Sequence, residues 1–395
     1  MNNAPLMLFH DPFPIQIERA QGHYVYDKEG KAYLDLFSGL GVHVLGHRHP
    51  LVLEAIAQQL DRYLHLSNTF ISEPTLQLAQ CLTELTFPSR VFFTNSGTEA
   101  NEAAFKLARK WGKSHRKHRF LILDRSFHGR TMGSLSLTAQ PILHKGFEPL
   151  LTDIGTLEMN DLDDLRQKID NTTCAVFVEL VQGSGGIRPV ERAWLAELLK
   201  LKEKYNFLVI VDEVQTGLGR TGKLFAYQHF NFLPDVMTLA KALGGGLPLG
   251  AVVIHERLKD VFQKGDHGTT FGGNPVSTNA GLAVLRKVSN PDFLYAVRTK
   301  GRWLRLHLER LRFEFPSLIQ AVRGMGLMIG VELKTSARMI QQLALQEGIL
   351  LNVIGDQIIR LLPPLTITCD EIRRFIQRLR KIFERVERMD KGVAP

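Results

Sequence analysis

FLVIVDEV, residues 207–214, is an apolar run that reaches two carboxylates. An unbroken apolar segment of this length buries both faces, which suits an interior strand of a parallel sheet. Similar runs recur at 90–94 (RVFFT), 119–124 (RFLILD), 174–180 (CAVFVEL), 235–241 (DVMTLAK) and 250–254 (GAVVI). Helical patterns lie between several of them, from Glu99 to Trp111 and from Trp194 to Tyr205. This alternation predicts an α/β fold, a mostly parallel central sheet with helices on both faces. The pattern changes near residue 276. A helix-rich stretch leads to GLMIGVEL (326–333) and IIRLL (358–362), then to a last helix. There Ile372, Phe375, Ile376, Leu379, Ile382, Phe383 and Val386 share one stripe, as in a packed edge helix closing a smaller α+β domain.

At the end of another run stands Lys241, in TLAKALGGGLPLG (238–250). A lysine after an apolar run is costly unless exposed, paired or reacting. Desolvation makes it lose its proton more easily, and so makes it a usable nucleophile. The glycines after it let backbone approach a bulky group. An aldehyde cofactor held on the lysine fits these facts, and so does a surface lysine beside a loop.

The chain has 395 residues, 44% hydrophobic and 23% charged, which is ordinary for a folded globular protein and long enough for two or three domains. A formal net charge of +9 admits an anionic partner. The excess is diffuse, and its densest stretch, RKWGKSHRKHR (109–119), suits a helix C-terminus. No nucleic-acid motif accompanies it. Cys81, Cys174 and Cys369 are far apart and odd in number, which predicts no disulfide framework and a reducing, cytoplasmic setting. MNNAPLMLFHDPFP lacks the pattern of a secretory signal, and no apolar stretch is long enough to span a membrane.

Several segments carry candidate chemistry. TNSGTEANEAAFKLARKWG begins at Thr94, after a strand, so Gly97 and Thr98 stand at a helix start that can hold an anion. Read alone, the segment fits a plain capped helix better, with Ser96 or Thr98 as the cap. Asp212 ends its strand at the edge where open α/β sheets bind ligands. RSFHGRT (125–131) offers a ring at Phe127, an imidazole at His128 and a carboxylate-binding fork at Arg130. HGTTFGGNP (267–275) reads as a loop fit for phosphate. GHRHP (46–50) reads as a turn before a helix over 51–64 rather than a metal site, because His47 and His49 are poorly spaced.

Taken together these segments resemble the class III (ω-type) aminotransferases. The resemblance runs in order through DKEGKAYLDLFSGLGVHVLGHRHP, NSGTEANEAAFKLAR, SFHGRT, VELVQGSGGI, VDEVQTGLGRTG, LAKALGGGLPLGA, HGTTFGGNP, RGMGLMIGVEL and RLLPPL. It implies pyridoxal 5′-phosphate as cofactor and the type I fold of such transferases. It also implies an N-terminal segment (1–60) joined to a small domain, a large cofactor-binding domain (61–284) and a C-terminal small domain (285–395). By resemblance Lys241 forms the internal aldimine and moves the proton, while Asp212 keeps the pyridine nitrogen protonated. Val214 and Phe127 would flank the ring, Gln215 would reach its phenolic oxygen, and Gly97 and Thr98 would hold the phosphate. Thr270 would reach the phosphate in the neighbouring subunit, which implies a homodimer with shared sites. Arg130 and Arg360 would bind substrate carboxylates, and Asn68 and Thr269 would join the substrate site.

Short length and the run LHLSNTF (64–70) resemble the subgroup that transfers the δ-amino group of N-acetylornithine to 2-oxoglutarate. Other ω-amine donors, such as 4-aminobutyrate, succinylornithine or ornithine, stay open, as does an aminomutase. One position departs from the family. Many ω-aminotransferases carry a glutamate where Ser184 stands, and it screens the second arginine, here Arg360. The family's ornithine enzymes also carry a tyrosine about where Leu40 falls. Both departures weigh toward an acylated donor, whose blocked α-nitrogen makes the screen unnecessary.

Overall fold

Five fully buried residues, Leu208–Asp212, form the middle strand of a seven-stranded sheet. The computed structural model describes residues 6–9 and 11–390. Residues 1–5 and His10 of the N-terminal stretch discussed above, together with 391–395, lie outside the described residues. Across the sheet the strands run Ser89–Thr94, Gly250–His255, Val236–Leu239, Leu208–Asp212, Thr173–Val178, Arg119–Leu123 and Ile154–Leu157. Leu208–Asp212 is parallel to both neighbours, pairing Leu208 with Ala175 and Asp212 with Thr238.

Gly250–His255 is antiparallel to both of its neighbours. A parallel return needs a crossover of a dozen or more residues, and the link 240–249 holds only a short turn. The Ile154–Leu157 strand has no counterpart among the apolar runs, because it contains Gly155 and Thr156 and sits at the sheet's edge. The 235–241 run also stops short of its expected end. Its strand closes at Leu239, and Lys241 opens a 3-10 turn with a left-handed φ of 46°.

Helix Gly97–Ser114 is capped by Ser96, whose Oγ accepts from the Glu99 N–H at 3.2 Å. Its sheet-facing stripe is built mostly of alanines, Ala100, Ala103, Ala104 and Ala108, with Leu107 and Trp111. These small side chains let the helix lie close on the strands.

Two further four-stranded sheets accompany this layer, besides a two-stranded pairing of Val181–Gln182 with Arg188–Pro189. One orders Ile319–Met325, Met328–Leu333, Ile358–Leu361 and Asn352–Ile354. The other joins the chain's two ends, with Ile349–Leu350 parallel to Ala32–Asp35 beside the Ile17–Gln21 and Tyr24–Asp27 strands. The closing helix, Cys369–Asp390, buries all seven residues of its expected stripe. Each such burial is worth about 1.5–3 kcal/mol. Arg220 ties the loop after Asp212 to the first of these sheets, since its Nη1 donates to Leu327 O at 3.1 Å and to Pro363 O at 2.6 Å.

Candidate active site

The C-terminal end of Leu208–Asp212 opens into a cavity of about 520 Å³. Gly97, Thr98, Phe127, Arg130, Asp212, Val214, Gln215 and Lys241 all line it, as does Ser184. Eight of the expected residues, contributed by four separated stretches of chain, therefore meet at one edge of the sheet, the place where open α/β sheets bind ligands.

Asp212 is buried, with hydrogen bonds at both carboxylate oxygens. Its Oδ2 accepts from His128 Nδ1 at 2.7 Å and from Asn101 Nδ2 at 2.8 Å, and its Oδ1 accepts from the Val214 N–H at 2.9 Å. Burial alone would push this carboxyl up. The His128 bond and charge outweigh it and hold Asp212 below the ordinary carboxylate range. Asp212 thus offers a permanent negative charge at the cavity floor. Burial also opposes the charge on His128, yet Asp212 raises its pKa above the ordinary imidazole range.

Lys241 responds to the same burial in the opposite sense. Desolvation, joined by the Arg360 charge, brings its ammonium down to about 8 against the pull of Asp212 and Glu179. A lysine of that kind is neutral often enough near pH 8 to act as nucleophile and proton carrier. Glu179 is buried too, and its carboxylate accepts from the Phe127 N–H at 3.0 Å and the Gly183 N–H at 2.9 Å.

Arg360 lies beside this cavity and is almost wholly buried. Its Nε donates to Asn352 Oδ1 at 2.9 Å, and its Nη1 reaches Gln215 Oε1 at 3.5 Å. Gln215 in turn donates from Nε2 to the carbonyl of Leu40 at 3.3 Å. No carboxylate is bonded to Arg360 among the described residues. Burial brings its pKa down to about 10, so it stays cationic at neutral pH. Arg130 is exposed and sits over the Phe127 ring at 5.6 Å.

Asn68, Thr269 and Thr270 do not line this cavity. Thr269 and Thr270 border an adjoining cleft with Asn95 and Glu99, and Asn68 Nδ2 donates to the Thr269 carbonyl at 2.6 Å. Asn95 borders both spaces. His47 bonds Asp35 at 2.9 Å and His49 precedes the Pro50–Leu60 helix, as a structural turn requires. Among the described residues no group of three or more His, Cys, Asp or Glu could hold a metal.

The residues fit a phosphorylated aromatic aldehyde. A Cβ at Gly97 would lie 2.8 Å from Val214 Cγ1, and one at Gly129 would lie 2.1 Å from Thr98 Oγ1. Backbone at the helix start therefore comes as close as only glycine permits, leaving N–H groups for an anion. Reading the sequence passed over Asn101 and Glu179, and named His128 without a role. Asn101 and His128 both meet Asp212 across long stretches of chain, and Glu179 meets the Phe127 N–H likewise, so no local pattern marks these contacts.

The family profile "Aminotransferase class-III" matches residues 9–383, and the chain belongs to that family. Its cofactor is pyridoxal 5′-phosphate and its activity is transamination. Acetylornithine aminotransferase from Caldanaerobacter subterraneus subsp. tengcongensis is 42% identical, over 96% of this chain and 98% of that protein. Succinylornithine transaminase from Citrobacter koseri is 39% identical, over 97% and 96%. Ornithine aminotransferase from Toxoplasma gondii ME49 superposes with a TM-score of 0.93 at 30% identity, over 97% of this chain and 93% of that one.

Proposed function

We propose that the protein transfers the δ-amino group of N2-acetylornithine to 2-oxoglutarate by a ping-pong route, as a cytoplasmic homodimer serving arginine biosynthesis. The observation that carries this reading is that, among the described residues, Arg360 hydrogen-bonds only the neutral groups of Asn352 and Gln215, with Ser184 on the cavity wall and Glu179 acting on the guanidinium through charge alone. A guanidinium with no carboxylate bonded to it is left to pair with an α-carboxylate. A donor whose α-nitrogen is acylated still presents only its δ-amine, whereas free ornithine can present either. The resemblance to named acetylornithine aminotransferases supports the same donor.

In this reading Lys241 Nζ would take up and return the substrate's proton. Asp212 would hold the ring nitrogen's side of the cofactor in its protonated form, and Phe127 and Val214 would flank the ring. Gln215 would face the phenolic oxygen, and Gly97 and Thr98 would hold the phosphate. When bound, the cofactor supplies the aldehyde and the electron-withdrawing ring. Arg130 and Arg360 take substrate carboxylates, with Asn68 and Thr269 at the substrate site.

Thr270 completes the phosphate site of the other subunit. Exposed Phe271 lines the Thr269–Thr270 cleft, and Leu64, Phe70 and Ile71 are exposed in the stretch that carries Asn68, large apolar side chains of the kind that interfaces cover. Three unpaired cysteines, and no helix among the described residues long and apolar enough to cross a membrane, suit the cytoplasmic assignment. We also assign residues 61–284 to a large domain, 285–395 to a small one and 1–60 to a segment that joins the small domain. The pairing of Ile349–Leu350 with Ala32–Asp35 supports this division.

A donor panel decides the substrate. Each amine is mixed with the loaded enzyme and the visible cofactor band is followed through one half-reaction. N2-acetylornithine is expected to react fastest. Succinylornithine, favoured by the similarity to succinylornithine transaminases, is the second reading. A clear preference for free ornithine sinks the acylated-donor proposal. Sedimentation of the same sample tests assembly, where a fully active monomer would overturn the shared site.

A further inference from the structure

Helix Pro291–Glu314 carries Arg298, Arg302 and Arg305 at spacings of four and three, so all three fall on one face. Like charges so placed repel, and the arrangement is unfavourable unless something negative answers it. That face borders a cleft of about 230 Å³, also lined by Thr221, His229 and Gly326. No residue is shared with the Lys241 cavity, and no carboxylate lines the cleft.

Acids close by are already engaged. Glu309, one turn beyond Arg305, is bonded by Arg312 at 2.6 Å. Glu332, on the sheet the helix packs against, is bonded by Arg323. Arg302 and Arg305 are exposed and have no hydrogen bond or ion pair with any described residue. Arg298 uses Nη1 to hold the Gly222 carbonyl at 2.7 Å, which fixes its guanidinium at the cleft wall. His229 Nε2 pairs with Thr221 Oγ1 at 3.1 Å. Burial first, then the charges of Lys223, Arg192 and Arg298, bring His229 down to about 4, so it faces the cleft as a neutral imidazole.

The cleft is also rigidly framed. A Cβ at Gly301 would lie 2.2 Å from the Gly326 carbonyl oxygen, and one at Gly222 would lie 2.5 Å from Arg298 Cγ. Helix, loop and turn are therefore locked together at glycine-only distances around the three cations.

We propose that this cleft is a binding site for a small oxyanion carrying at least two negative charges. The forks of Arg302 and Arg305 and the fixed guanidinium of Arg298 supply charge-assisted bonds. The Thr221–His229 pair supplies one neutral donor, since their mutual bond uses the hydrogen of the other. Phosphate groups and dicarboxylates share the required chemistry. An occupant ties the helix to the Thr221–Gly222 loop and so stabilises the folded protein by mass action.

The test uses the cofactor-loaded enzyme in inorganic phosphate and, separately, in succinate, each against chloride at equal ionic strength. Titration calorimetry and thermal unfolding are read together, with the visible band reporting that cofactor stays bound. A saturable heat and a raised Tm are expected with phosphate, succinate or both, and the pattern tells which class of oxyanion the site takes. Arg302→Gln with Arg305→Gln, both exposed positions, is expected to weaken that binding by about tenfold or more while transamination is kept. Absence of saturable binding by either anion, or equal binding by parent and double variant, overturns the proposal.

Discussion

His128 Nδ1 lies 2.7 Å from Asp212 Oδ2, with both side chains buried beneath the cavity. The pair keeps a carboxylate charged where burial alone would neutralise it. His128→Phe removes that support, so the Asp212 carboxyl rises and is protonated at higher pH. The acid limb of the kcat profile should move up, and His128→Gln should restore part of the shift. An unchanged limb in the Phe variant would show that Asn101 and the Val214 N–H suffice.

Lys241 sets the other limb. Its neutral form grows as pH rises through about 8, so capture of the aldehyde cofactor by apoenzyme should speed up across that range. Arg360→Gln removes a nearby positive charge and should move this midpoint upward. Lys241→Ala should lower turnover by about 10²–10⁴-fold or more. Borohydride should then no longer fix cofactor mass on the peptide that contains residue 241. Mass spectrometry of that peptide checks the assignment.

Ser184 tests how Arg360 is left to pair with a substrate carboxylate. Ser184→Glu places a carboxylate on the cavity wall to compete with the substrate's own. A competing bond of about 1.5 kcal/mol should raise the KM for 2-oxoglutarate roughly tenfold. Turnover of free ornithine relative to N2-acetylornithine should rise in the same variant. Equal KM values in parent and variant would mean that the new carboxylate does not reach Arg360.

Glu371 should govern acid stability where the chain's ends meet. Its carboxylate accepts from His23 Nδ1 at 2.8 Å and from the Thr368 N–H at 2.8 Å. Burial would raise this carboxyl, but the His23 and Thr368 bonds prevail and bring it down to about 2. The folded pKa is depressed, so this stability is present above the ordinary glutamate range. It is lost as pH falls toward about 2. Glu371→Gln should lower Tm at pH 7 and flatten its dependence on pH below 5. A variant as acid-sensitive as the parent would place the acid transition elsewhere.

The central strands were legible because burial on both faces writes itself as consecutive apolar residues. Leu208–Asp212 and Thr173–Val178 lie within two residues of their expected bounds. Ile154–Leu157 was not legible, because an edge strand with a glycine has no such run. The direction of Gly250–His255 depended on the length and shape of the link before it, which hydrophobicity does not encode. Lys241 was placed on a strand for the same reason. Its apolar predecessors looked continuous, whereas the backbone turns at Ala240.

Read alone, the sequence determined the alternation of strands and helices and the residue types an aldehyde-binding site requires. Lys241, Asp212 and the Gly97–Thr98 helix start carry local signals, since composition, period and turn chemistry act between near neighbours. Only the tertiary structure decided that His128, 84 residues before Asp212 in the chain, holds its charge. The same is true of the 145-residue span from Gln215 to Arg360 and of the unanswered arginines beside Thr221 and His229. Contacts between such distant residues follow from how the sheets and helices pack in three dimensions. No local pattern records that packing, because it is set by the burial of the whole core at once.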